Sequence, residues 1–138
     1  MFAKINPKVG QVVKQGGERY DAYNAGSTVL KAGDAVSLLE VKNGKIGVVK
    51  WTAGKALGFV VSETIDKEIK EGDFLTYASD NSFIALNASS ALSVGDKIVA
   101  TATGVSEATL PADAALVCGT AYSDAALDGI VVCKLNVE

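Results

Sequence analysis

Leu30-Lys31-Ala32-Gly33-Asp34-Ala35-Val36 returns, with changes, as Ile69-Lys70-Glu71-Gly72-Asp73-Phe74-Leu75 and again as Leu92-Ser93-Val94-Gly95-Asp96-Lys97-Ile98. Each copy is an aliphatic residue, two variable residues, Gly-Asp, and then an apolar or alternating run. Glycine lacks a Cβ, takes φ > 0 without a clash, and so suits the third position of a type II turn. The aspartate that follows is the residue type that satisfies backbone N–H groups at a turn. Gly33-Asp34, Gly72-Asp73 and Gly95-Asp96 therefore read as three strand-opening turns of one design. No long helical period separates them, so the chain reads as all-β, a small β-barrel or β-sandwich.

Outward from these turns, the strand grammar is regular from Val29 onward. Asp34–Val41 and Ile46–Trp51 are two strands joined by Lys42-Asn43-Gly44-Lys45, and Asn-Gly between apolar runs favours a type I′ hairpin. Ala56–Ser62 is mostly apolar, as a strand covered on both faces would be. Glu63–Lys70 is a charged connector. Phe74–Ala78, Phe83–Leu86 and Lys97–Thr103 continue the pattern, Val105–Asp113 reads as a loop with a short strand, and Ala114–Ala121 and Ile130–Val137 close it. Gly33–Ser62 is echoed by Gly95–Ser123, which implies two weakly related halves closing one barrel or sandwich. Residues 1–28 are less periodic and read as an extended N-terminal arm or edge segment with one short strand near Gln11–Lys14. Residues 29–138 are the β domain.

Composition narrows the function. The 138 residues suit one domain, and with 49% hydrophobic but only 7% aromatic residues the core must be built from Val, Ile, Leu and Ala. Net charge is −3, so no global basic field recruits nucleic acid. The charge is uneven: residues 1–70 hold ten Lys and one Arg against seven acids, and residues 71–138 hold two Lys against nine acids. Two readings stay open, a basic face that meets an acidic partner or ordinary solvation of two surfaces.

Histidine is absent from the chain, which removes the commonest general base and metal ligand. Cys118 and Cys133 lie in apolar runs where a thiolate is costly, and their spacing does not make a zinc site. They read as buried free thiols. No phosphate-binding glycine run occurs, nothing approaches the length of a membrane span, and the first residues contain no apolar signal core. The expectation is a protein that is not an enzyme and carries no cofactor or metal.

Val29–Val36, Ala56-Leu57-Gly58-Phe59-Val60-Val61 and Ile69–Leu75 resemble the capsid cement (decoration) proteins of tailed bacteriophages. There an aliphatic-x-x-Gly-Asp opening is followed by a hairpin, a glycine-bearing hydrophobic strand and a further Gly-Asp strand. The likeness runs from about Val29 to the C-terminus. It implies a protein made in the host cytoplasm that binds the outer surface of the assembled head. It also implies a homotrimer, with the major capsid protein as partner. On that reading Phe2, Lys4, Ile5, Lys8, Arg19, Tyr20 and Tyr23 are the candidate capsid or inter-subunit contacts. A capsid-anchored head-fibre protein is the nearest alternative, and a small-ligand-binding β-barrel is the alternative from another class.

Overall fold

The computed structural model describes residues 7–14, 16–62 and 68–137. The strands are β1 (Val12–Lys14), β2 (Arg19–Asn24), β3 (Ala35–Lys42), β4 (Lys45–Lys50), β5 (Gly58–Val60), β6 (Phe74–Ala78), β7 (Phe83–Asn87), β8 (Lys97–Ala100), β9 (Val105–Glu107), β10 (Gly119–Ala121) and β11 (Ile130–Leu135). The fold is all-β. Five strands close a barrel in the order β2-β4-β3-β5-β6, and six form a sheet in the order β1-β7-β11-β10-β8-β9.

The three Gly-Asp turns form as their sequence dictates. Gly33, Gly72 and Gly95 have φ of 87°, 88° and 95°. The N–H of Asp34, Asp73 and Asp96 donates to the carbonyls of Lys31, Lys70 and Ser93 at 3.0, 2.9 and 3.0 Å. Each aspartate Oδ2 in turn accepts from the N–H of Lys31, Lys70 or Ser93, at 2.9, 3.0 and 2.8 Å. The turn is thus clamped from both sides, backbone one way and carboxylate the other.

These turns sit at matching places in two copies of one unit. Leu30 and Ile69 exchange backbone hydrogen bonds of 2.9 and 2.8 Å ahead of β3 and β6, and Leu92 and Ala125 do the same at 2.8 and 2.9 Å ahead of β8 and β11. Gly33 N–H donates to Val60 O as Gly95 N–H donates to Ala121 O, both at 2.8 Å. Gly58 and Gly119 also correspond: a Cβ on either would lie 2.4 Å from Ala78 O or 2.5 Å from Lys134 O. In the first unit β2 pairs in parallel with β4. In the second, the end of β7 meets β9 through the parallel Ala88–Val105 bridge. The five strands β2–β6 and the five strands β7–β11 are therefore the same topology laid down twice. The echo between Gly33–Ser62 and Gly95–Ser123 is real, but each half curls on itself and the two do not complete a single barrel together.

Three boundaries differ from the sequence reading. Arg19–Asn24, assigned to the N-terminal arm, is a strand of the first barrel between β6 and β4. Only Ala22 and Asn24 of it are buried, too few apolar positions to reveal a period. Ala114–Leu116 is a 3-10 turn, and the strand shrinks to β10. The apolar run at Ala56–Ser62 is a strand only at Gly58–Val60, with Leu57 and Val61 adding one backbone bond each to β3 and β6. Most of the Glu63–Lys70 connector lies outside the described residues.

Two clusters make the core. Val36, Val48, Val60, Leu75 and Tyr77 fill the first barrel. Ile84, Leu86, Ile98, Val131 and Leu135 anchor the second cluster, which also takes Ala35, Ala56, Phe59 and Ala78 from the first unit. Neighbouring residues of a strand point to opposite faces, so Val60 enters its own barrel while Phe59 joins the neighbour's core. That explains why β5 is apolar throughout. A hydrogen bond reinforces the junction: Ser82 Oγ, just ahead of β7, donates to the carbonyl of Glu18, just ahead of β2, at 2.9 Å.

Candidate interaction surfaces

The two units differ in what they leave uncovered. Strands β8 and β9 have four and three residues, whereas β3 and β4 have eight and six. The second unit folds without the extra length, so the long β3–β4 hairpin is an addition to the barrel. Its tip is the expected type I′ turn, with φ of 54° at Asn43 and 74° at Gly44. Beyond Val36, no strand among the described residues lies on the side of β3 away from β4, since β5 pairs only with Ala35 and Val36.

Along that overhang Leu38, Leu39 and Val41 are 55%, 54% and 65% exposed. The strand register shifts between Leu38 and Glu40, a bulge that splays these side chains. Tyr23 OH donates to Glu40 Oε2 and ties the hairpin to β2. This bond holds the phenol in its protonated form and raises its pKa. Lys45 Nζ lies 5.1 Å from the centroid of the Phe74 ring, itself exposed on β6. Asp21, Ala22, Lys45, Ile46, Phe74 and Thr76 line an adjoining open cleft of about 470 Å³. The surface is thus apolar, fringed by Lys42 and Lys45.

A second apolar surface lies on the paired turns of the second unit, Ser93–Asp96 and Ala126–Gly129. Val94 and Leu127 are 62% and 61% exposed, with Ile130 beside them at 40%. Val94 N–H donates to Asp124 Oδ1 at 2.9 Å, holding the two turns together. Asp124 and Asp128 are exposed and give this surface an acidic margin.

In the first unit the corresponding turn is covered. A fourth copy of the motif, Lys8-Val9-Gly10-Gln11, sits there: Gly10 has φ 87°, Gln11 N–H donates to Lys8 O at 3.0 Å, and Lys8 N–H donates to Gln11 Oε1 at 3.1 Å. Glutamine does the work of the aspartate, which hid this copy from the Gly-Asp reading. Val9 packs so closely over Gly33 that a Cβ there would meet Val9 Cγ1 at 2.2 Å, whereas at Gly95 no described atom lies within 4 Å. Gly10 N–H donates to Ala85 O at 2.7 Å and its carbonyl accepts from Ser62 N–H at 2.8 Å, so this turn bridges the two units.

The candidate contacts named from the sequence fall in different places. Phe2, Lys4 and Ile5 lie outside the described residues. Lys8 opens the bridging turn, and Arg19 begins β2. Tyr20 stacks at 5.6 Å on Tyr77 and donates to Glu18 Oε1, while Tyr23 points to the opposite face of β2 and steadies the hairpin. They do not form one patch. The apolar hairpin and the Val94–Leu127 turns were missed because an alternating strand reads alike whether or not its face finds a partner. Cys118 and Cys133 are buried free thiols. Burial pushes Cys118 up to about 12 and Cys133 higher still. Neither offers a thiolate near neutral pH.

Neither a comparison with protein-family models nor one with the sequences of curated proteins finds a match. Among solved structures, the fold is similar to the N base of the head fibre protein gp8.5 of bacteriophage phi29. The TM-score is 0.58 at 14% identity, covering 88% of this chain and 95% of that one. At this identity the likeness is one of fold, and it spans both units.

Proposed function

We propose that this chain is a structural component of a tailed-bacteriophage head. In this reading it is a decoration protein that binds the outside of the assembled shell and ties neighbouring capsid subunits together. The observation that carries the reading is the fold likeness to a phage head-fibre base over 88% of this chain, in a body that leaves two apolar surfaces exposed. The barrel interior supports it too, because Val36, Val48, Val60, Leu75 and Tyr77 occupy the space a small ligand would need. Holding a shell together calls for a stiff body with several weak contacts acting at once, and affinity then multiplies without any single strong site.

The test is co-sedimentation of purified protein with heads lacking it, followed by heating of the decorated and bare particles. Saturable binding and a higher temperature of DNA release support the cement role. The base of a head fibre is the second reading, favoured by the fold of the phi29 protein itself. It predicts saturable binding with no change in the release temperature. Absence of binding to any head overturns both. Lys8→Glu with Arg19→Glu is expected to lower occupancy if the basic half meets the shell.

A further inference from the structure

We propose that copies of this chain assemble head to tail, the β3–β4 hairpin of one seated on the Ser93–Asp96 and Ala126–Gly129 turns of the next. Four observations converge. The hairpin is surplus to the barrel, since the second unit folds with strands of four and three residues in its place. It exposes Leu38, Leu39 and Val41, and the receiving turns expose Val94, Leu127 and Ile130. Lys42 and Lys45 fringe the first surface; Asp124 and Asp128 fringe the second. Finally, the equivalent turn of the first unit already wears a cover, the Lys8–Gln11 turn with Val9 over Gly33, while the space over Gly95 is open.

The pseudo-symmetry of the chain thus supplies both the precedent for a cover and the place where one is missing. Each chain has one such hairpin and one such open pair of turns among its described residues. A contact between unlike surfaces uses both on every copy, and it closes into a ring when the rotation permits. Salt screens the lysine–aspartate margins, so association weakens as ionic strength rises. The inference is independent of head binding.

Sedimentation velocity on the free protein, over a concentration series reaching the millimolar range, tests it. Wild type is expected to form a discrete closed oligomer. Lys42→Glu/Lys45→Glu and Asp124→Lys/Asp128→Lys are each expected to raise the concentration needed for assembly about tenfold or more. The chain carrying all four changes should assemble again. Mixing the two double variants separates this geometry from any like-with-like contact. The Lys hairpin of the turn variant fits the Asp turns of the hairpin variant, and the reversed hairpin fits the reversed turns, so the mixture should assemble with the two variants alternating where neither assembles alone. Circular dichroism of each variant reports that it is folded. A monomeric wild type throughout, an oligomer untouched by either double variant, or no rescue in the fourfold variant overturns the proposal. Each of these outcomes can occur whether or not heads bind the protein.

Discussion

Asp34, Asp73 and Asp96 show how much one side chain settles locally. Each carboxylate accepts a backbone N–H three residues earlier, and a net hydrogen bond of this kind contributes about 1 kcal/mol. Asp96→Ala should lower stability in urea by about that amount, and Asp96→Asn by less, because the amide oxygen still accepts. Gly58 and Gly119 make a sharper case. A methyl group would strike a backbone carbonyl at 2.4 or 2.5 Å, so Gly58→Ala and Gly119→Ala should each cost roughly 3 kcal/mol or more. The buried thiols set the alkaline limit. A thiol raised from 9.0 to about 12 in the fold stabilises it below the unfolded value, and the contribution is lost as pH climbs through that window. The melting temperature should therefore fall above pH 9, less steeply in Cys118→Ala/Cys133→Ala. The Gly-Asp turns were readable because their causes are local, whereas what crowds Gly58 and Gly119 lies on neighbouring strands. The exceptions were the turns where the letters changed: Gln11 standing in for aspartate, and Asp128 itself taking the left-handed conformation, φ 66°, before Gly129.

The β3–β4 hairpin is the element on which the surface chemistry turns. Its Asn-Gly corner and both strands were legible, since turn and alternation depend on neighbours in sequence. Its exposure was not, because that depends on β5, distant in sequence, pairing with β3 only at Ala35 and Val36. Trimming β3–β4 to the length of β8–β9 while keeping an Asn-Gly turn is expected to leave the melting temperature within a few degrees of wild type. Self-association should be lost. A collapse of the fold would show instead that the overhang serves the barrel. Strand β2 was hidden for the converse reason: Arg19-Tyr20-Asp21-Ala22-Tyr23-Asn24 has a single buried aliphatic residue, and its partners β4 and β6 are far away in sequence.

The whole molecule is two copies of one unit welded through Phe59. The duplication left a faint echo in the sequence because glycine and turn positions survive where side-chain identity does not. Phe59 corresponds to Thr120, each being the middle residue of its strand. Phe59 has no exposed surface and sits in the second unit's cluster, so unfolding should be one cooperative event. Trp51 fluorescence and far-ultraviolet dichroism are expected to give coincident transitions in denaturant. Phe59→Ala removes the main inter-unit side chain and should cost about 3–5 kcal/mol. Two separate transitions in that variant would show the units holding together through this contact, and in wild type they would refute the weld.

The bridging turn at Lys8–Gln11 and the strand that follows it impose an order on synthesis. Val12 and Lys14 emerge from the ribosome early, yet their ladder partners Ile84 and Phe83 are made about seventy residues later. Strand β1 must wait, unpaired, while the first barrel is being built behind it, although the Lys8–Gln11 turn can already dock on Gly33 and Ser62. A cleavage site placed near Lys14 would then be cut in nascent chains and spared in finished ones, turning that segment into a reporter of when the second unit is complete.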